Sequence, residues 1–330
     1  ALKFANDMGY PVMLKATSGG GGRGLRLVRN KRELKKSFDS ARSEAKLSFG
    51  EPSVFIEKYI EVANHIEFQI LADNYGNIIH LGERDCSIQR RHQKLIEIAP
   101  SLILTQKDRN HIGTMAVKGA KAAGYTNAGT MEFLVDRDNN FYFMEMNTRI
   151  QVEHTVTEEV TGIDLVKKQI EIAFGKKLDI SEEDISIRGY AIECRINAED
   201  PKKEFIPDTG RVTAYYSPGG IGIRIDGSIY KDYIISSYYD SMVAKLIVKG
   251  LTWEEAISRL DRALGEFVIR GVKTTIPYLR KIAHDPDFRK GSFDTKFIEK
   301  KPCLLEYNES KDPQDLVAAI ASALAAHHGF

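Results

Sequence analysis

Two glutamates stand where a β-hairpin would set them face to face. The segments Met131-Glu132-Phe133-Leu134-Val135-Asp136 and Phe141-Tyr142-Phe143-Met144-Glu145-Met146-Asn147 are rich in strand formers, and Arg137-Asp138-Asn139-Asn140 between them is turn-forming. A symmetric hairpin closing on Asp138-Asn139 pairs Glu132 directly with Glu145. Partners of this kind lie about 4.5–5.5 Å apart at Cβ, and like charges there repel, so a positive charge belongs between them. The amide oxygen of Asn147, two residues on and on the same face, completes a hard-oxygen set suited to Mg²⁺ held jointly with phosphates. A solvated sheet face fits an isolated hairpin equally well; the neighbouring motifs decide against it.

The first of these is Gly19-Gly20-Gly21-Gly22-Arg23-Gly24. Its glycines match GxGxxG formally, but a dinucleotide fingerprint needs a helix next, and Leu25-Arg26-Leu27-Val28 reads as a strand. It also lacks the Gly-Lys-Ser/Thr of a Walker loop. A glycine loop between two strands is a flap whose bare N–H groups can close over phosphates. Lys15, ending the strand that enters the flap, can supply a point charge to a phosphate. Glu57-Lys58-Tyr59-Ile60 closes another strand, and backbone at such an end can bind an adenine edge, a weak signal by itself.

Gln89-Arg90-Arg91-His92-Gln93-Lys94 is a polar, basic block after a strand. A nucleic-acid patch is excluded by the formal net charge of +1 and by the lack of interleaved aromatics. Arg149-Ile150-Gln151-Val152-Glu153-His154 follows the acidic hairpin directly, and the spacing predicts a small-anion pocket in which Arg149 is the cation beside a base, Glu153.

The elements that must hold these residues are readable in outline. Strands are expected at 12–16, 25–28 and 53–60, and helices at 31–47, from Thr105 to Gly124 with a capping box to Asp108, and from about Asp164 to Phe174. Ile66, Phe68 and Ile70 alternate with His65, Glu67 and Gln69, which predicts a half-buried strand with a polar working face, paired with 78–81 through Asp73–Asn77. After Ile187 the texture turns to short strands and glycine turns, then a helix at 253–266, so a subdomain boundary is placed near 181–187. The 330 residues, 42% hydrophobic and 28% charged, suffice for two or more domains. The three cysteines are far apart without CxxC spacing, which suits a reducing compartment and argues against a disulfide scaffold or zinc site. No stretch is long and apolar enough to span a bilayer, and the opening Leu2–Gly9 reads as a helix end, which predicts a fragment whose natural start lies upstream.

Taken together, Lys15 to Gly24, Glu57-Lys58-Tyr59, Glu83 to Lys94, Gly129 to Leu134, Phe143 to His154 and Glu193-Cys194-Arg195-Ile196-Asn197-Ala198-Glu199-Asp200-Pro201 resemble biotin carboxylase, the ATP-grasp component of biotin-dependent carboxylases. The resemblance covers all but the last thirty or so residues, with the motifs in the family's order. It implies an α+β chain: an ATP-grasp lid at 1–60, a catalytic half with an antiparallel sheet at 61–185, a small β-rich C-terminal subdomain at 186–300, and a tail with an alanine-rich helix at 301–330. The carbamoyl-phosphate synthetase large subunit shares the flap and the glutamate pair, but the 89–94 block with Glu193-Cys194-Arg195 favours the carboxylase. A nucleotide-binding fragment without turnover is the remaining alternative.

The same resemblance implies roles. Lys15 contacts ATP phosphates, Gly20, Gly21, Gly22 and Gly24 form the flap, Glu57 and Tyr59 form the adenine hinge, and Ile60 and Leu134 bind ATP. His65, Gln89 and His92 lie around ribose and phosphates, and Glu132, Glu145 and Asn147 hold Mg²⁺ or Mn²⁺. Lys94, Arg149, Gln151 and Val152 form the bicarbonate pocket, Glu153 deprotonates bicarbonate, and Arg195 stabilises the biotin enolate. The implied partners are a biotin carboxyl carrier protein and a carboxyltransferase, with a homodimer as the family state; no nucleic acid or membrane is implied. The implied location is the cytoplasm, or the mitochondrial matrix in a eukaryote. Family members also carry a doubly wound domain before this stretch, contributing to the biotin site, and a second phosphate-contacting lysine; neither is found in these residues.

Overall fold

The computed structural model describes residues 2–18, 25–307 and 313–328. The glycine run at 19–24, with Gly20, Gly21, Gly22 and Gly24, lies outside them. The chain begins with α1 (Leu2–Met8), β1 (Val12–Ala16), β2 (Leu25–Val28), α2 (Lys31–Phe49) and β3 (Val54–Lys58). These three strands form a small antiparallel sheet in the order β2-β1-β3, backed by α2. The start of α2 is fixed by Asn30, whose side chain accepts from the Arg32 and Glu33 amides, and its end by Gly50 at φ 79°. Leu34 and Ala41 of α2 meet Val12, Leu14 and Val28 in a compact core.

Next come β4 (Ala63–Ala72), β5 (Ile78–Arg90), β6 (Gln93–Ala99), α3 (Gln106–Ala122), β7 (Asn127–Asp136), β8 (Phe141–Asn147), α4 (His154–Thr161) and α5 (Leu165–Ala173). The remaining elements are β9 (Tyr190–Asn197), β10 (Glu199–Asp200), β11 (Ile206–Pro207), β12 (Gly210–Arg211), β13 (Ala214–Tyr216), β14 (Ile223–Gly227), β15 (Ile234–Ile235), β16 (Met242–Gly250), α6 (Trp253–Glu266), β17 (Val268–Arg270), α7 (Ile276–Ala283), α8 (Pro286–Arg289) and α9 (Pro313–His328). The Thr105–Asp108 capping box is present at the start of α3.

One eight-stranded antiparallel sheet, in the order β14-β16-β9-β6-β5-β4-β7-β8, organises this larger part. It runs without a break from the middle of the chain into the later strands, because β6 pairs with β9. Its two faces differ in kind. On one, Ile66, Phe68 and Ile70 of β4 pack on Ile112, Ala116 and Ala120 of α3. On the same side further along, Ile96, Ile192, Cys194 and Leu246 pack on α6 and α7 through Ala256, Leu260, Leu279 and Ile282. On the other face the alternate residues include Glu67, Arg84, Glu97, Glu193, Arg195 and Lys245, and α4 lies against that side through Val156 and Val160, next to Ala99, Ala191 and Ile247.

The expected half-solvated working face of β4 is therefore corrected. Glu67 and Gln69 are fully buried, at 0% exposure. Alternation gives two faces but not which is wet. Here Arg84 from β5 reaches the polar one and α4 covers it.

Candidate active site

A cleft of about 920 Å³ opens between the small sheet and the polar face of the large one. Every candidate site residue that falls within the described part lines it: Lys15, Glu57, Tyr59, Ile60, His65, Gln89, His92, Lys94, Glu132, Leu134, Glu145, Asn147, Arg149, Gln151, Val152, Glu153 and Arg195. From the first sheet, Lys15 and Glu57 enter as an ion pair. Tyr59 and Ile60 follow the end of β3, and Lys296 from beyond α8 lies 5.6 Å from the Tyr59 ring centre.

Glu132 faces Glu145 across β7 and β8 as expected, but the symmetric register closing on Asp138-Asn139 is corrected: beside the turn Val135 pairs with Phe141 and Leu134 with Tyr142. The pairing is not symmetric throughout: Phe133 pairs with Phe143, so Met144 is an extra residue in β8. The bulge lets Glu145 face the cleft beside Glu132 while Phe143 turns to the opposite side, its ring 6.0 Å from that of Phe133, edge to face. The two carboxylates differ sharply in surroundings. Glu132 is buried and accepts from Gln151 at 2.7 Å and Asn147 at 2.8 Å, with His65 Nε2 at 2.8 Å and Lys94 Nζ at 3.5 Å. Burial pushes its carboxyl up, but the His65 hydrogen bond, the His65 and Lys94 charges and Gln151 outweigh this and hold it at about 2. Glu145 is exposed, and among the described residues no hydrogen bond or ion pair reaches it.

Behind Glu132 lies a second buried carboxylate, Glu67, directly opposite it on β4 and directly opposite Arg84 on β5. Arg84 spends all five of its N–H donors inside the protein: on Glu67, on Gln69 at 2.6 Å, Thr157 and Thr130 at 3.1 Å each, and Gln151 at 3.0 Å. Burial raises the Glu67 carboxyl, but Arg84 and then Lys94 bring it down to about 2.

Glu153 precedes the first residue of α4 and is buried. Its cations are Lys94, on Oε1, and Arg195, 3.0 Å from Oε2. The expected pairing with Arg149 is corrected: Arg149 is exposed and donates to the Ile150 carbonyl at 3.2 Å and to Asn147 at 3.3 Å. The chain turns into α4 between residues 149 and 153, so helical i,i+4 proximity does not apply there. Lys94 also holds Glu67 at 2.6 Å, and Arg195 holds Glu97 at 2.6 Å. The Gln89–Lys94 block is a tight hairpin whose turn residues Arg91 and His92 have φ of 49° and 64°. Left-handed non-glycine residues carry strain, and turns of this type normally use Asn-Gly. The strained turn presents Gln89, His92 and Lys94 together at the cleft.

The sequence reading missed the supporting groups Arg84, Glu97, Glu193, Thr155 and Lys245. Arg84 was within reach of it: the β4–β5 hairpin with one irregularity sets Glu67 opposite Arg84. For Thr155 and Lys245 no local signal exists, since both meet the site only through the fold.

Two family models match the chain. Residues 1–181 match the carbamoyl-phosphate synthase L chain ATP-binding domain, and residues 193–300 match the biotin carboxylase C-terminal domain. The second separates this chain from the synthetase alternative. The 2-oxoglutarate carboxylase small subunit of Hydrogenobacter thermophilus is 55% identical over the whole chain, which spans 70% of that protein. The chain belongs to the biotin carboxylase family. Biotin carboxylase 1 of Bacillus subtilis is 55% identical over 91% of the chain and is spanned to 67%. The crystal structure of the H. thermophilus biotin carboxylase domain dimer with MgADP, ADP and bicarbonate superposes with a TM-score of 0.90 at 56% identity, covering 93% of this chain and 68% of that one. Biotin carboxylase from Campylobacter jejuni gives a TM-score of 0.88 at 48% identity over 91% of this chain and 67% of that one. The ATP-grasp architecture and ligase class of the biotin carboxylases are therefore those of this chain.

Proposed function

We propose that the cleft carries out the family reaction, ATP- and bicarbonate-dependent carboxylation of a carrier-borne biotin through carboxyphosphate, with the residue roles that follow. The observation that carries this reading is Glu153, buried and gripped between Lys94 and Arg195 on the wall that also bears Glu132 and Glu145. A carboxylate with two cations around it can receive a small anion beside them and take its proton.

Lys15, Glu57, Tyr59, Ile60 and Leu134 line the end of the cleft nearest the small sheet and take the nucleotide, with His65, Gln89 and His92 towards its ribose and phosphates. Lys15 is held by Glu57 and is freed towards phosphate when nucleotide enters. The glycine run at 19–24, which the family resemblance assigns to the phosphates, lies outside the described residues. Glu132, Glu145 and Asn147 form an all-oxygen set that fits Mg²⁺ or Mn²⁺. The metal, when bound, neutralises charge on the phosphates during transfer. Lys94, Arg149, Gln151 and the Val152 segment hold bicarbonate, and the Val152 carbonyl is itself fixed by Lys245 at 2.8 Å. Glu153 takes the bicarbonate proton, and bicarbonate attacks the γ-phosphate as the β–γ bond breaks and ADP leaves; positioning does most of the work in such a transfer. Carboxyphosphate then yields CO₂ and phosphate, the phosphate accepts the biotin N–H proton, and the biotin nitrogen attacks the CO₂ carbon. Arg195 stands ready for the enolate oxygen, a preorganised charge.

The partners are a carrier protein bearing biotin and a carboxyltransferase, and the working state is a homodimer, supported by the dimer of the H. thermophilus domain. No helix among the described residues is long and apolar enough to cross a membrane, and all three cysteines are free.

The test is phosphate release against bicarbonate concentration in the intact enzyme. Glu153→Gln should keep ATP binding and lose bicarbonate-dependent hydrolysis by ~10²–10⁴, the usual contribution of one general base. Wild-type bicarbonate-dependent turnover in that variant would place the base elsewhere. ATP binding without turnover in the parent would favour the fragment alternative.

A further inference from the structure

A second pair of opposed glutamates lies under the reacting groups, and the reaction as described does not use it. Glu97 of β6 and Glu193 of β9 are direct partners across the ladder, and both are 0% exposed. Their side chains leave the sheet on the same face, about 4.5–5.5 Å apart at Cβ. One oxygen of each is occupied. Glu97 Oε1 accepts from Arg195, and Glu193 Oε2 accepts from the Thr155 hydroxyl, with Lys245 Nζ 3.9 Å away. The other two, Glu97 Oε2 and Glu193 Oε1, are buried without a hydrogen-bond partner.

Two ionised carboxylates can only accept. Side by side in a dry ladder they repel, and each keeps an unsatisfied oxygen. One proton removes both problems at once, because it turns two orphan acceptors into a donor and an acceptor. We propose that Glu97 and Glu193 hold a single proton between them and that the charge of this pair positions Arg195. Arg195 is divided between two carboxylates, with Nε on Glu97 and Nη2 on Glu153. With the proton in place the pull from Glu97 is weaker, and the guanidinium leans towards Glu153 and an oxyanion in the cleft. Without it, a second buried negative charge draws Arg195 back into the sheet. The other charged groups around the pair are Lys245 on β16, Lys94 on β6 and Glu153 ahead of α4; Asp226 of β14 stands 3.6 Å behind the Lys245 ammonium. Burial, reinforced by the neighbouring carboxylates, raises both carboxyls, so that the pair titrates near neutral pH.

The effect on Arg195 rests on the catalytic reading of that residue given above; the shared proton does not. The two are therefore tested separately, in the intact enzyme. Infrared difference titration in D₂O should show a buried protonated carboxyl that persists at neutral pH and is lost at higher pH. It should be absent from both Glu97→Gln and Glu193→Gln. No such band in the wild type, or a band unchanged in both variants, overturns the shared proton. The wild-type kcat should fall at alkaline pH, and a wild type without that fall overturns the link to Arg195; in Glu193→Gln the amide donates to Glu97 permanently, so the fall should be lost, with KM for ATP unchanged. An alkaline fall that persists in this variant overturns the link to Arg195. If Arg195→Gln and Glu153→Gln turn over like the wild type, the catalytic reading has failed instead, and the infrared titration still decides on the proton.

Discussion

Arg84→Met is the sharpest single test of how the site is built. The substitution keeps an unbranched apolar stem, shorter than that of arginine, and removes one charge and five donors from a position with no solvent access. Among the described residues Glu67 is left with Lys94 as its only ion-pair partner, and Lys94 is already shared with Glu153 and Glu132. Four neutral acceptors, on Gln69, Thr157, Thr130 and Gln151, also lose a donor. The hydroxyls can rotate, and Gln69 and Gln151 keep the bonds made by their amide nitrogens, so the stranded charge dominates. Removing one member of a buried ion pair costs about 3–5 kcal/mol. At roughly 2 °C per kcal/mol, the low end suited to a long chain, Tm should fall by roughly 6–10 °C. Thermal melts by circular dichroism without nucleotide read this directly. Adding Glu67→Gln removes the stranded charge and should restore part of the loss, since contacting residues couple by about 0.5–3 kcal/mol. Activity should not return with it, because Gln151 and Lys94 have lost their anchor. A single variant within about 1 °C of the parent, or a double variant no more stable than Arg84→Met, would refute the account of Glu67 as a charge neutralised mainly by Arg84.

Stability should peak in mildly acidic solution. Glu67 and Glu132 have lowered carboxyls, so the stability they add is present above about 4.5 and lost as pH falls towards about 2. Glu97 and Glu193 are raised, so their contribution is full below about 4.5 and is lost as pH rises through about 7 to about 8. Urea midpoints measured across that range should rise and then fall; a curve that climbs steadily to alkaline pH contradicts the second half. Glu145→Gln should weaken MgATP binding while leaving Tm unchanged, because the side chain is exposed; equal affinity with and without the substitution would remove Glu145 from the metal set. Gly21→Val should block the approach of the flap backbone to phosphate and lower nucleotide affinity with little change in Tm; unaltered affinity and turnover would reduce the glycine run to a connector.

What could be read in advance followed from local physics. The Glu132–Glu145 pairing is expected from strand composition and a symmetric turn; the pair stands, but through the Met144 bulge and not through the expected register, and the helix expected at 253–266 is present. The Gln89–Lys94 turn could not be read, because Arg91-His92 is not one of the usual two-residue turn pairs such as Asn-Gly. The partner of Glu153 was misjudged for a related reason. Nearness in sequence suggested Arg149, whereas the cations come from β6 and β9, about 60 and 40 residues away. The polar face of β4 was visible, but its burial depends on α4 arriving from the far side of the hairpin, which alternation along one strand cannot reveal.

The register also explains why the metal candidates differ so much from each other. Glu145, Glu132, Glu67 and Arg84 are successive direct partners across β8, β7, β4 and β5, one row over four strands. Three adjacent carboxylates in such a row repel unless cations intervene. The protein supplies those cations only at the inner end. Arg84 closes the row behind Glu67, Lys94 bridges Glu67 and Glu132, and His65 caps Glu132 from the side. Beyond that point the row reaches β8, the edge strand, where a carboxylate can keep its hydration and needs no internal partner. Glu145 is thus held close to an already ordered carboxylate while remaining open to a cation that arrives with the substrate. A fully buried second carboxylate would have required a fixed positive charge of its own, and that charge would exclude the metal. The Met144 bulge is what makes the edge position usable, since without it Phe143 and Glu145 would face the same side and the aromatic ring would lie in the cleft.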